Sequence, residues 1–119
     1  MPYTHNHCSY CGGGMRISEL TCGDCGLTHG GDFYTPRLYR ISTDEQQFIE
    51  LFVLASGSLK QMAQILGVSY PTVRNRLDKL IRVLKEEKQK DDKRKQKILE
   101  DIEAGRISAK QGMRMIDAI

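Results

Sequence analysis

Four cysteines near the start of the chain constrain it most: Cys8, Cys11, Cys22 and Cys25, written CSYC, ten residues, then CGDC. Two C-x-x-C pairs joined by a short loop match tetrahedral zinc, because each pair grips one edge of the tetrahedron. Gly12 and Gly26 directly follow the second cysteine of each pair. Glycine there permits the tight turn that aims backbone N–H groups at the sulfurs and stabilises thiolate. Four protein thiolates leave no open coordination position for a substrate or activated water, so the expected role of the metal is structural. A segment this small buries too little apolar surface to fold unaided, and a metal supplies the missing free energy.

Met15 to Leu20 alternates as a short strand, and Asp32 to Tyr34 can begin another. Residues 1–36 therefore resemble a zinc ribbon, two knuckles on β-hairpins joined through the metal. Two disulfides would suit a secreted mini-protein, but the remainder of the chain reads as intracellular. A thioredoxin-type redox pair needs a βαβ frame that this segment cannot supply. Iron, held by knuckles of the rubredoxin kind, shares the C-x-x-C-G pattern, although its pairs usually lie farther apart. The spacing therefore favours zinc over iron. His5, His7 and His29 read as surface residues, since the cysteines already complete a four-ligand set.

The 119 residues carry a formal net charge of +3, distributed unevenly. Residues 1–41 are neutral and residues 42–68 slightly acidic, whereas residues 69–97 hold eleven Lys or Arg against five acids. Positive charge focused on one helix points to a polyanion. No apolar run approaches the ~20 residues of a membrane helix, and the N-terminus has no apolar signal core. The expectation is a soluble, cytoplasmic protein with no membrane partner.

Helix signals begin after Pro36. Ser42-Thr-Asp-Glu45 has the form of a capping box, and Phe48, Leu51, Phe52 and Ala55 follow at helical spacing, widened by Ile49 and Val53. Ser58-Leu-Lys-Gln61 opens a second helix whose stripe is Leu59, Met62, Ala63 and Leu66, stopped by Gly67. Ser69 caps a third, with Pro71 in its first turn and Val73, Leu77, Leu80, Ile81 and Leu84 as its buried stripe. A small Ala63, a turn at Gly67 and a plug at Val73 make the tight pairing of a helix-turn-helix. An ordinary three-helix bundle would share this core. The outward face of the third helix argues for more: Thr72, Asn75, Lys79 and Arg82 point away from the stripe, with Arg74 and Arg76 on its flanks. Asn and Arg make bidentate contacts to base edges, and Lys and Arg neutralise phosphates. These six residues are the candidate contacts to double-stranded DNA.

The run Leu59-Lys60 through Ser69-Tyr-Pro-Thr-Val-Arg74 resembles an uncharacterised prokaryotic family in which an N-terminal zinc ribbon precedes a helix-turn-helix. The short Pro36-Arg37-Leu38 link is similar too. The resemblance implies a transcription-regulator-like protein and assigns no target. Ser9 and Gly23 stand where proline often follows the first cysteine of a knuckle, and neither removes a ligand.

Lys85 to Lys97 has no apolar residue: seven bases, four acids and two glutamines. It reads as a flexible linker or as a solvated helical extension, with Glu86–Lys90 and Asp91–Lys95 in the favourable i, i+4 order. Good helix formers and the lack of Gly or Pro favour the helix. Ile98, Leu99 and Ile102 resume a narrow stripe, Gly105 breaks it, and Ser108-Ala-Lys-Gln111 opens a last helix lined by Ala109, Met113 and Ile116. This end resembles an αα-hairpin appended to several bacterial regulators. Such a hairpin cannot bury its stripe alone, which predicts a homo-oligomer.

The expected fold is mainly α with a small β zinc ribbon: ribbon 1–36, helix-turn-helix 42–84, charged extension or linker 85–97, and C-terminal αα-hairpin 98–119. No nucleophile–base set, paired carboxylates or phosphate-cradling loop is present, so no enzyme activity is expected. Gly12-Gly-Gly14 lacks the strand-to-helix context and following Lys of a P-loop. The expected function is zinc-binding, DNA-binding transcription regulation. The alternative is a protein-interaction adaptor using ribbon and hairpin, with a protein partner on the ribbon. RNA lacks support, since no aromatic stacking platform is evident.

Overall fold

The computed structural model describes residues 7–33 and 35–119. It is mainly α-helical with one small antiparallel sheet. Two compact units emerge: residues 37–92, and a second made of the cysteine region up to Pro36 together with residues 93–119. The division falls inside a helix and leaves the linker and most of the charged stretch with the helix-turn-helix. Composition alone places a boundary at 84/85, where the apolar residues of the helix-turn-helix stop.

In the cysteine region, β1 (Glu19–Thr21) pairs antiparallel with β2 (Thr28–Gly30), Leu20 opposite His29. The strand expected over Met15–Leu20 is therefore shorter and shifted toward the second knuckle. Asp32 and Phe33 are outside any strand, and Tyr34 lies outside the described residues. His7 and Gly14 form an isolated bridge around the first knuckle.

A 3-10 turn at Arg37–Arg40 leads into the helices α1 (Thr43–Leu54), α2 (Leu59–Leu66), α3 (Tyr70–Glu103) and α4 (Ala109–Asp117). The caps form where the sequence places them. Ser42 accepts from the Glu45 N–H while Glu45 accepts from the Ser42 N–H, each at 3.2 Å, a complete capping box. Ser58, Ser69 and Ser108 each accept from the N–H three residues on. Each such cap is worth ~1 kcal/mol. Gly67 ends α2 at φ 66°, the left-handed conformation that lets α3 start three residues later.

The core of the helical unit joins Ile41, Phe48, Ala55, Met62, Ala63, Val73 and Leu80, with Leu51, Phe52, Leu59, Leu77 and Leu84 packed against it. Met62 and Val73 are fully buried, so Val73 is the plug its position predicts. Three stripe residues fall outside this core: Val53, Leu66 and Ile81 are exposed. Val53 and Ile81 sit at the edges of their apolar stripes, whereas Leu66 lies on the stripe but at the last position of α2, next to Gly67. Val83 packs inward where Ile81 was expected.

α3 continues unbroken through Lys85–Lys97, which is helix and not linker. It ends in a turn with Gly105 at φ 73°. In the hairpin, Ile98 is buried on α3 and Gly112 on α4. A Cβ at Gly112 would lie 2.3 Å from the Ile102 Cδ1, so the two helices pack there through the missing side chain. Leu99, Met113 and Met115 remain exposed.

Candidate nucleic-acid interface and cysteine knuckles

The first turns of α3 decide what the helix-turn-helix can present. Val73, Leu77 and Leu80 are drawn into the core, which turns the other faces of the helix outward. Thr72, Arg74, Asn75, Arg76, Lys79 and Arg82 are all exposed. The structure nevertheless sorts them. The Thr72 hydroxyl lies 2.8 Å from the Ser69 hydroxyl and belongs to the helix cap. Arg76 turns back onto α1, its guanidinium 5.1 Å from the centroid of the buried Phe48 ring. This cation–π contact is worth ~0.5–1 kcal/mol at an exposed site. Arg76 and Lys79 border a cleft of about 230 Å³ with Asp44 and Glu45 on its other side. Arg74 pairs with Asp78, Nη2 to Oδ1 at 3.2 Å, both side chains half exposed. Asn75 and Arg82, seven positions apart on one line of the helix, engage no side chain among the described residues.

One cluster was not legible from the sequence. Asp91, in the middle of the charged stretch, is 2% exposed. Its Oδ2 accepts from Arg37 Nε at 2.9 Å and from Arg40. Arg40 also reaches Glu87 at 3.3 Å, and Glu87 pairs with Lys90 at 3.1 Å. The pairs expected along the helix, Glu86–Lys90 and Asp91–Lys95, give way to this arrangement because two arginines offer Asp91 stronger, charge-assisted hydrogen bonds. Burial by itself raises the Asp91 carboxyl, but the hydrogen bonds and charges of Arg40 and Arg37 outweigh it and hold it below the ordinary carboxylate range. The available signal was the matched spacing, Arg37 and Arg40 against Glu87 and Asp91. Nothing in a single sequence aligns those two segments.

The two cysteine pairs fold as copies of one knuckle. Cys8 N–H donates to the Gly13 carbonyl at 2.7 Å and Gly12 N–H to the Cys8 carbonyl at 2.8 Å. Cys22 N–H donates to the Leu27 carbonyl at 2.7 Å and Gly26 N–H to the Cys22 carbonyl at 3.0 Å. Gly12 and Gly26 share φ values of 74° and 76°. Backbone N–H groups of Cys11 and Tyr10 lower the Cys8 thiol, and those of Cys25 and Asp24 lower the Cys22 thiol. Each knuckle sets two sulfurs side by side, Cys8 with Cys11 and Cys22 with Cys25. Among the described residues no three His, Cys, Asp or Glu side chains are grouped closely enough to hold a metal. The donor chemistry and the knuckle backbone fit a metal that would join the two knuckles. His7 and His29 are exposed, and His5 lies outside the described residues.

No helix among the described residues is long and apolar enough to cross a membrane. No curated protein and no solved structure matches the chain. Residues 41–87, from the core residue Ile41 to the ion-paired Glu87, match the family described as "Domain of unknown function (DUF2089)-HTH". The match covers 47 of the 119 residues and spans the helix-turn-helix.

Proposed function

We propose that the protein binds double-stranded DNA through the N-terminal half of α3 and acts as a non-enzymatic transcription regulator. One observation carries the reading: α3 commits its apolar face to the core and leaves Arg74, Asn75, Lys79 and Arg82 exposed. A major groove admits one helix with this polar equipment at its start. The cysteine knuckles would hold one structural zinc through Cys8, Cys11, Cys22 and Cys25, which supplies a cross-link and no reaction step. The exposed Leu99, Met113 and Met115 support self-association through the C-terminal helices.

A salt titration of the zinc-loaded full chain on duplex DNA tests the reading. Neutralisation of four phosphates gives log affinity against log salt a slope of about −3.6. Binding that ignores salt, or no binding at all, leaves the adaptor as the working description. In light scattering, Met113→Glu should lower the mass of the assembled protein to that of one chain.

A further inference from the structure

Resting on the DNA reading above, we propose that Arg74 reads a guanine and that Asp78 is the positioning residue that aims it. Three contacts single out this pair. Thr72 gives its hydroxyl to the Ser69 cap, and Arg76 gives its guanidinium to Phe48. Arg74 is held by Asp78 through a single nitrogen, Nη2, and stays half exposed without turning onto α1 as Arg76 does. The rest of the planar fork keeps its donors for the paired O6 and N7 acceptors of guanine. Steadying the side chain in advance reduces the entropy lost when it docks.

The order of the pair supports a role beyond helix stability. A carboxylate placed before a base stabilises a helix best, and here the base comes first. A carboxylate on the face turned to DNA also repels phosphate. Asp78 therefore weakens binding to any sequence while it sharpens the choice among sequences, the trade expected of a specificity element.

The test is selection of bound duplexes from a random pool by the zinc-loaded full chain and by its Arg74→Ala, Arg74→Lys, Asp78→Asn and Asp78→Glu variants. The native chain should enrich a site containing a guanine whose replacement by 7-deazaguanine weakens binding. Arg74→Ala should lower the preference for that guanine by roughly 5- to 150-fold, and Arg74→Lys should not restore it. Asp78→Asn should flatten the same position while raising affinity for random duplex a few-fold, and Asp78→Glu should retain the preference. Circular dichroism melting of each variant confirms that it is folded. If Arg74→Ala and Asp78→Asn bind the same motif with the native base preferences, the inference is overturned and the DNA reading stands. If the native chain binds no duplex, both fall.

Discussion

Arg37 donates through Nε to Asp91 Oδ2 at 2.9 Å, joining the residue after the cysteine region to the fourth-from-last turn of α3. With Arg40 on the same oxygen, this contact makes a clamp between the linker and a stretch of helix that has no apolar residue of its own. Packing cannot hold such a stretch. Charge does.

Asp91→Asn should lower the stability of the helical unit by ~1.5–3 kcal/mol, the range for hydrogen bonds to charged groups. Because the Asp91 carboxyl is lowered in the folded chain, its contribution is fully present above the ordinary carboxylate value of ~4 and fades as pH falls through the lowered folded value. Thermal melts of both proteins should differ by a constant amount near neutrality and converge in strong acid. A difference that grows on acidification contradicts the clamp.

Arg76→Ala should cost ~0.5–1 kcal/mol of stability through the lost contact with Phe48. It should leave base preference at every position of a bound site unchanged, since the side chain faces α1. Urea melts together with selected-site sequencing measure the two effects separately.

Cys22→Ser should abolish binding of one zinc per chain, read by a colorimetric chelator after protein digestion. Amide exchange in α1 and α2 should be unchanged within ~0.5 kcal/mol, as expected for independent sites. Coupled loss of helix protection would place the ribbon and the helices in one cooperative unit.

Gly112→Ala gains up to ~1 kcal/mol of helix propensity but drives a methyl into Ile102, an overpacking cost of ~1–3 kcal/mol. The net expectation is a looser hairpin, seen as faster proteolysis between Ala104 and Ser108. Combined with Ile102→Ala, the two changes should cost less together than the sum of each alone.

The local features of the fold were legible because each is written within a few residues. Ser42 and Glu45 announce a helix start, Gly67 announces the turn, and Val73 announces the plug. The knuckles were equally plain from Cys8-x-x-Cys11-Gly12 and its copy. What escaped was long in range or fine in angle. Asp91 reads as one more solvated acid until Arg37 and Arg40 arrive from more than fifty positions away. Arg76 and Arg74 flank the same apolar stripe, and only the neighbouring Phe48 and Asp78 show that one turns inward while the other stays out. Periodicity reports which side is apolar and not how much of it a partner covers, so it overreached in width at Val53 and Ile81 and in length at Leu66, the last residue of α2.

The likeness of the two knuckles has a consequence for how the cysteine region could hold an ion. Each half holds its turn through the same pair of backbone hydrogen bonds. What a zinc ion would add is the closure between two finished pieces. The entropy such a closure would have to offset is set by the loop between Cys11 and Cys22. A metal held there would be gripped by two like halves, each offering two sulfurs from a turn of the same shape.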